Sequence, residues 1–392
     1  MVVTPLMWRS LDRFTFFFRF MFTNPIEYNA KKRKFEFNQV SRKMWPYCCS
    51  VVILFLSNIV PCLALGMLKL FGLLHLPLAN AMLLLVVLLI SGVCLTAELI
   101  SALIGYKLLG MINYAIEWDK LGGNSAAKGT DILGPVLNVV AATFGLYPYL
   151  ASAFLLLSEM DPIFQFLQFT TQNWTSIANF PVLKFLTLTI LRPILTLISM
   201  LQICRFFAIF FCGSAVGCTS LVDNITQMDR ISNRFWIQSY AREILRSHAA
   251  IQILLHWSSA VLNSLVAIFQ FAGFISVPFN YMTLKMYNLV PFRLYVAFPV
   301  VCILLPMSHQ ILLPILISVY EGEVNLHKKW RRSLCFCGDT RYLMRRVKAT
   351  KILRVYCGLS DFNFYFLKKS TKLKYQYTIL SYTISALLSG KG

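Results

Sequence analysis

Acidic residues are scarce in this sequence. Only 16 Asp and Glu stand against 37 Lys and Arg, and charged side chains together make up 14% of the 392 residues. A soluble chain carries about 25%. No Gly-rich phosphate loop, nucleophile elbow or His-Glu-x-x-His pattern occurs, so neither nucleotide chemistry nor a common hydrolase centre is expected and an enzyme is not. No internal repeat of either hand is visible, which argues against a secondary transporter. No cofactor is implied. The 11 cysteines lie in apolar blocks or basic loops, so no disulfide framework is expected. Arg9, Arg13 and Arg19 precede any long apolar run, so no cleavable signal peptide is expected.

What is present is apolar and blocky. Hydrophobic residues make up 57% of the chain, with 32 Phe, in runs of the length that crosses a hydrocarbon core of about 30 Å at about 1.5 Å per residue. Seven spans are expected, near 47–71, 79–105, 132–157, 181–213, 257–276, 295–320 and from 375 onward. The aromatic stretch 14–22 reads as a short interfacial helix. The fold class expected is therefore all-α integral membrane with seven transmembrane helices.

The basic residues orient it. Nine precede span one, three follow span two, four follow span four and fourteen follow span six, so thirty lie on one side and five on the other. A basic excess marks the cytosolic face, which places the N-terminus inside, the C-terminus outside and assigns the +21 net charge to topology rather than to nucleic acid. The sequon Asn173–Thr175 then falls outside, as a candidate glycosylation site, while a second at 224–226 falls in the cytosol and should stay unmodified. The divisions expected are a cytosolic segment 1–46, spans one to six over 47–320, a cytosolic loop with an anchor helix over 321–373, and a seventh helix with a short tail over 374–392. The loop helix is expected over Tyr342–Val355, where apolar Leu343, Met344, Val347, Ile352 and Val355 alternate with bases.

The last span is the unusual one. Lys374, Thr378, Ser381 and Ser385 fall at i, i+4, i+7 and i+11 and form a polar stripe. Lipid offers such a stripe no hydrogen bond, so it needs water or protein. Lys374-Tyr375, five residues, then Ser381-Tyr382 resembles the closing signature of the insect gustatory/odorant receptor superfamily, Thr-Tyr, five residues, Gln-Phe. Residues 355–366 resemble its segment before the final span, with Gly358 ahead of Phe362-Asn363. Lys374 and Ser381 depart from that signature, as in a divergent member of gustatory-receptor type.

The resemblance implies a tetrameric ligand-gated cation channel, homomeric or built with related subunits, in the plasma membrane of sensory neurons. Its pore and gate would be Thr378, Ser381, Tyr382 and Ser385. It also implies a small-molecule pocket in the outer half of the bundle, for which the aromatics Tyr147, Tyr149, Phe185, Tyr295 and Phe298 are candidates; lipid is the other partner. Other readings are a G-protein-coupled type of receptor, which needs the opposite orientation, a transporter, and a non-conducting subunit of a heteromer. Glu98, Arg192 and His309, inside spans, are candidates for gating, ligand contact or pairing. His327 with Cys335 and Cys337 matches no zinc spacing.

Overall fold

The computed structural model describes residues 3–121, 131–173, 187–232, 238–285, 287, 295, 297–333 and 340–389. The chain is mainly helical. Among the described residues, six helical stretches are long and apolar enough to cross a membrane: Arg42–Leu70, Asn80–Trp118, Leu133–Thr170, Leu188–Ile231, Ser259–Lys285 and Val301–Ser333. They coincide with the first six expected spans, and those in the second, third, fourth and sixth places run on well past them. The closing helix is shorter in apolar content and is not among them.

The N-terminus differs from expectation. Helix α1 is Pro5–Phe18, begun by Thr4, whose hydroxyl accepts from the Met7 amide at 3.3 Å, with Pro5 in the first turn; Pro suits that turn because its missing N–H has no partner there anyway. Helix α1 takes in only the first part of the aromatic stretch 14–22 and buries Met7, Leu11, Phe14 and Phe18 against α5 (Leu133–Leu157) and α7 (Arg192–Ile231). A hairpin follows, β1 (Ile26–Asn29) with β2 (Lys34–Phe37). Its outer edge is closed by the amide of Asn113 on α4 (Leu78–Leu121), which accepts from the Phe35 N–H at 3.0 Å and donates to its carbonyl at 2.7 Å.

Helices α2 (Trp45–Leu54) and α3 (Val60–Leu70) are one rod joined through a π turn, Phe55–Ile59, and a second π turn, Thr187–Leu191, precedes α7. In both cases a proline, Pro61 or Pro193, follows the turn in the next helix's first residues. Proline lacks the N–H that would close the ordinary ladder, and a wider turn absorbs the gap.

Helix α7 is the axis of the bundle, packed against α1, α2, α4, α5 and α11 (Ala297–Ser333). Ala208, Cys212, Ala215 and Ser220 along it are fully buried, and small side chains let neighbouring helices close in. The other helices among the described residues include α6 (Pro162–Asn173), α8 (Gln238–Trp257), α9 (Ser259–Phe274), α10 (Ser276–Lys285) and α12 (Thr340–Ala349). Helix α12 ends at Ala349 instead of Val355. Its Leu343 and Val347 are wholly buried against α8 and α11.

A second hairpin comes next, β3 (Tyr356–Leu359) with β4 (Phe362–Phe366), carrying a bulge at Cys357/Gly358. It rests on α9, with the Asn263 amide donating to Asn363 Oδ1 at 2.7 Å and the Ser360 N–H to Ser264 Oγ at 2.9 Å. Here the glycine is obligatory: a Cβ on Gly358 would overlap the Phe362 carbonyl. The closing helix α13, Lys369–Ser389, then lies against α10 and α11. None of the nine cysteines among the described residues is paired.

Candidate functional site

Between α4, α5, α7, α9 and α11 lies a cavity of about 140 Å³. One wall is a stack of nearly parallel rings: Phe144 to Phe211, 6.0 Å at 13°, and Phe144 to Phe207, 6.1 Å at 20°. Helical spacing explains part of this, since Phe207 and Phe211 are one turn apart on α7. Aliphatic Val93, Val140 and Val301 complete the apolar lining, and the polar groups at its edge are Thr143, Tyr147, Cys204 and Ser308. An apolar space with a few hydroxyls suits a small organic molecule; an apolar cavity of about 150 Å³ admits benzene, so a single-ring ligand matches the free space.

Of the aromatics expected there, Tyr147 lines the cavity. Tyr149, two residues on, is exposed. Tyr295 spends its hydroxyl on the Thr283 carbonyl at 2.8 Å, and Phe298 is buried against Phe279 with ring centres 6.1 Å apart. Phe185 lies outside the described residues, as do Trp174 and Thr175 of the first sequon, whose Asn173 ends α6. The ring stack of Phe144, Phe207 and Phe211 was not anticipated. The i, i+4 phenylalanines of α7 are visible in the sequence, but in a chain with 32 Phe that spacing singles out nothing. Asn224 of the second sequon is buried and donates to the Ala115 carbonyl at 3.1 Å.

The in-span charged residues are each tied down. Arg192 forks onto Asp161, with Nε 2.9 Å from Oδ1 and 3.1 Å from Oδ2, and its second arm donates to the Leu156 carbonyl at 3.2 Å. The guanidinium also lies 4.4 Å from the centre of the Phe164 ring, so it fixes the turn between α5 and α6. Glu98 accepts from the Gln202 amide at 2.6 Å, and Glu98 and Arg192 do not meet.

His309 is placed differently. Ser308, at the cavity wall, donates to the Leu305 carbonyl at 2.6 Å and sits 3.4 Å from His309 Nδ1. The His309 ring stacks on Phe269 at 3.9 Å and 6°, and its Nε2 is 2.9 Å from the Phe269 carbonyl and 3.2 Å from the Tyr375 hydroxyl. That hydroxyl donates to the Gln270 carbonyl at 2.7 Å. Its single proton is thus committed, and it faces Nε2 as an acceptor. Gly273 makes the meeting sterically allowed, because a Cβ there would overlap the Tyr375 hydroxyl and stand 2.7 Å from His309 Nε2. Cavity wall, His309 and closing helix are therefore consecutive contacts.

On α13 the inward face carries Tyr375 and Thr383, both buried; Thr383 accepts from the Asn280 amide at 3.2 Å. Tyr382 is exposed, with its ring 6.5 Å from Phe274. Lys374, Ser381 and Ser385 point out of the bundle and Thr378 is half-buried. Beside that polar stripe runs an exposed apolar one, Leu373, Tyr377, Leu380, Ile384 and Leu388. A single copy satisfies neither.

No protein family defined by sequence matches the chain, and no curated protein does. Among solved structures, the insect olfactory receptor OR5 from Machilis hrabei in complex with eugenol superposes with a TM-score of 0.66 at 15% identity, covering 98% of this chain and 99% of that one. The OR5 structure described without eugenol gives 0.60 at 14%, covering 97% and 96%. The chain has the fold of an insect olfactory receptor over essentially its whole length.

Proposed function

We propose that this protein is a chemosensory receptor of the insect gustatory/odorant superfamily, a multi-pass subunit of a ligand-gated cation channel in the plasma membrane of sensory neurons. A small, mainly apolar organic ligand occupies the cavity bounded by Phe144, Phe207 and Tyr147, and the closing helices of four copies surround the ion path. The observation that carries this reading is the run of contacts from the cavity wall through His309 to Tyr375 on α13. A ligand opens such a channel only by binding one state better than the other, and here a change at the wall moves a residue hydrogen-bonded to the helix that would line the pore. The likeness to a receptor solved with eugenol and the apolar, ring-lined space support a single-ring ligand.

The two exposed stripes of α13 support assembly. In a ring of copies the polar stripe of Lys374, Thr378, Ser381 and Ser385 faces water and the apolar stripe faces the neighbouring copy, whereas Tyr382 stands beside the narrowest point and gates by dewetting. The test is current recording from cells expressing the chain, alone and with a related subunit, against a panel of small phenols and terpenes. Epitope tags at Met1 and Gly392 accompany it. Ligand-evoked cation current with an internal N-terminal tag is expected. A surface-exposed N-terminal tag, with no current from either subunit combination, supports a G-protein-coupled type instead.

A further inference from the structure

Far along α11 from the cavity, Glu323 and His327 stand one helical turn apart on one face, and His248 of α8 meets them. All three side chains are buried in the largest hydrophobic cluster, beneath the wholly buried Trp330. His248 Nε2 is 2.9 Å and His327 Nε2 3.6 Å from the same oxygen, Glu323 Oε2, and the three donor atoms all lie within 4.8 Å of one another. Three buried atoms, His248 Nδ1, His327 Nε2 and Glu323 Oε1, find no hydrogen-bond partner among the described residues.

As a hydrogen-bonded cluster this arrangement is poor. A buried carboxylate needs several good partners to offset its desolvation, and among the described residues this one accepts a single hydrogen bond, from His248. As a coordination set it is good. Ligands at about 2.0–2.1 Å around a tetrahedral ion stand about 3.3 Å from each other, and the two measured separations fall on either side of that value. Two imidazoles and one carboxylate are a set that zinc takes, with a fourth position left for water, while calcium and magnesium call for oxygen. The aromatic ceiling, with the Trp330 ring centred 5.3 Å from His248 and 5.2 Å from His327, keeps bulk water away.

The geometry points to a transition-metal site, His248–Glu323–His327, that binds Zn²⁺ and staples α8 to α11 in the region where α12 also packs. The ion serves as a structural clamp. It supplies a partner for the buried Glu323 carboxylate, and it joins the two helices through His248 on one and Glu323 and His327 on the other.

The test uses the full chain purified in detergent, washed with EDTA and then titrated with ZnCl2. One zinc per chain by elemental analysis is expected, with a higher melting midpoint in zinc than in EDTA. His327→Ala and Glu323→Gln should each lower zinc affinity by a hundredfold or more; Glu323→Gln keeps the side-chain shape, so it separates lost coordination from lost folding. The wild-type chain loaded with Cu²⁺ should show two imidazole nitrogens by pulsed electron paramagnetic resonance. A folded wild-type chain that takes up no zinc overturns the site, as does uptake undiminished in both variants or a copper signal without imidazole nitrogen.

Discussion

The Tyr375 hydroxyl stands 3.2 Å from His309 Nε2. Through that contact the closing helix is joined to a histidine whose neighbour, Ser308, forms part of the cavity wall. Removing the hydroxyl while keeping the ring leaves the Gln270 carbonyl and the histidine N–H without it. Tyr375→Phe is expected to cost about 1 kcal/mol of the coupling, which is about a fivefold rise in the ligand concentration for half-maximal current. Ligand binding to detergent-purified protein should be unchanged, and a parallel shift in both measurements would mean that the pair serves binding rather than coupling.

Gly273→Ala tests the same junction sterically. The added methyl overlaps the Tyr375 hydroxyl, and overpacking of this kind costs about 1–3 kcal/mol. Gly92→Ala on α4 meets nothing within 4 Å and should stabilise by up to about 1 kcal/mol, as alanine does in a helix interior. Melting of the two variants by fluorescence-detected size exclusion should move in opposite directions, and only Gly273→Ala should lose ligand response.

Filling the cavity should silence the receptor without unfolding it. Val140→Trp places an indole in a space of about 140 Å³. Surface expression and oligomer size should be retained while ligand-evoked current falls at least tenfold. Retained sensitivity to the same ligand would locate its binding elsewhere.

The stripes of α13 predict a pattern of thiol access. Cysteines at Ser381 and Ser385, which face outward, should react with small charged methanethiosulfonates and alter the current. A cysteine at Thr383, buried beside Asn280, should not. Equal reactivity at all three would remove the pore assignment of the stripe.

Asp161→Ala leaves the Arg192 guanidinium buried without its carboxylate. Breaking a buried pair by one partner costs about 3–5 kcal/mol, so the melting midpoint should fall sharply, whereas Lys32→Ala, which breaks an exposed, solvent-screened pair with Glu36, should leave it nearly unchanged.

Much of the architecture was readable without coordinates, because the length and apolarity of a membrane-crossing helix are local properties. The first six spans fall where the long runs lie, and Gly358, quoted as part of a motif, is required by the Phe362 carbonyl opposite it. Sequence could also show that Lys374, Thr378, Ser381 and Ser385 share a face, since helical spacing alone fixes that. It could not show that this face points out of the bundle, or that Thr383 is the side chain the bundle receives.

What only tertiary structure decided were the meetings between distant residues. His309 and Tyr375 are 66 positions apart, and His248 and Glu323 are 75; no periodicity connects them. The two hairpins escaped sequence reading because each is too short to show an alternating pattern, and each is held by side chains from a helix elsewhere, Asn113 for one and Asn263 for the other. The ring stack of Phe144, Phe207 and Phe211 was hidden for the opposite reason: phenylalanine is everywhere in this chain, and only packing selects the three that border empty space.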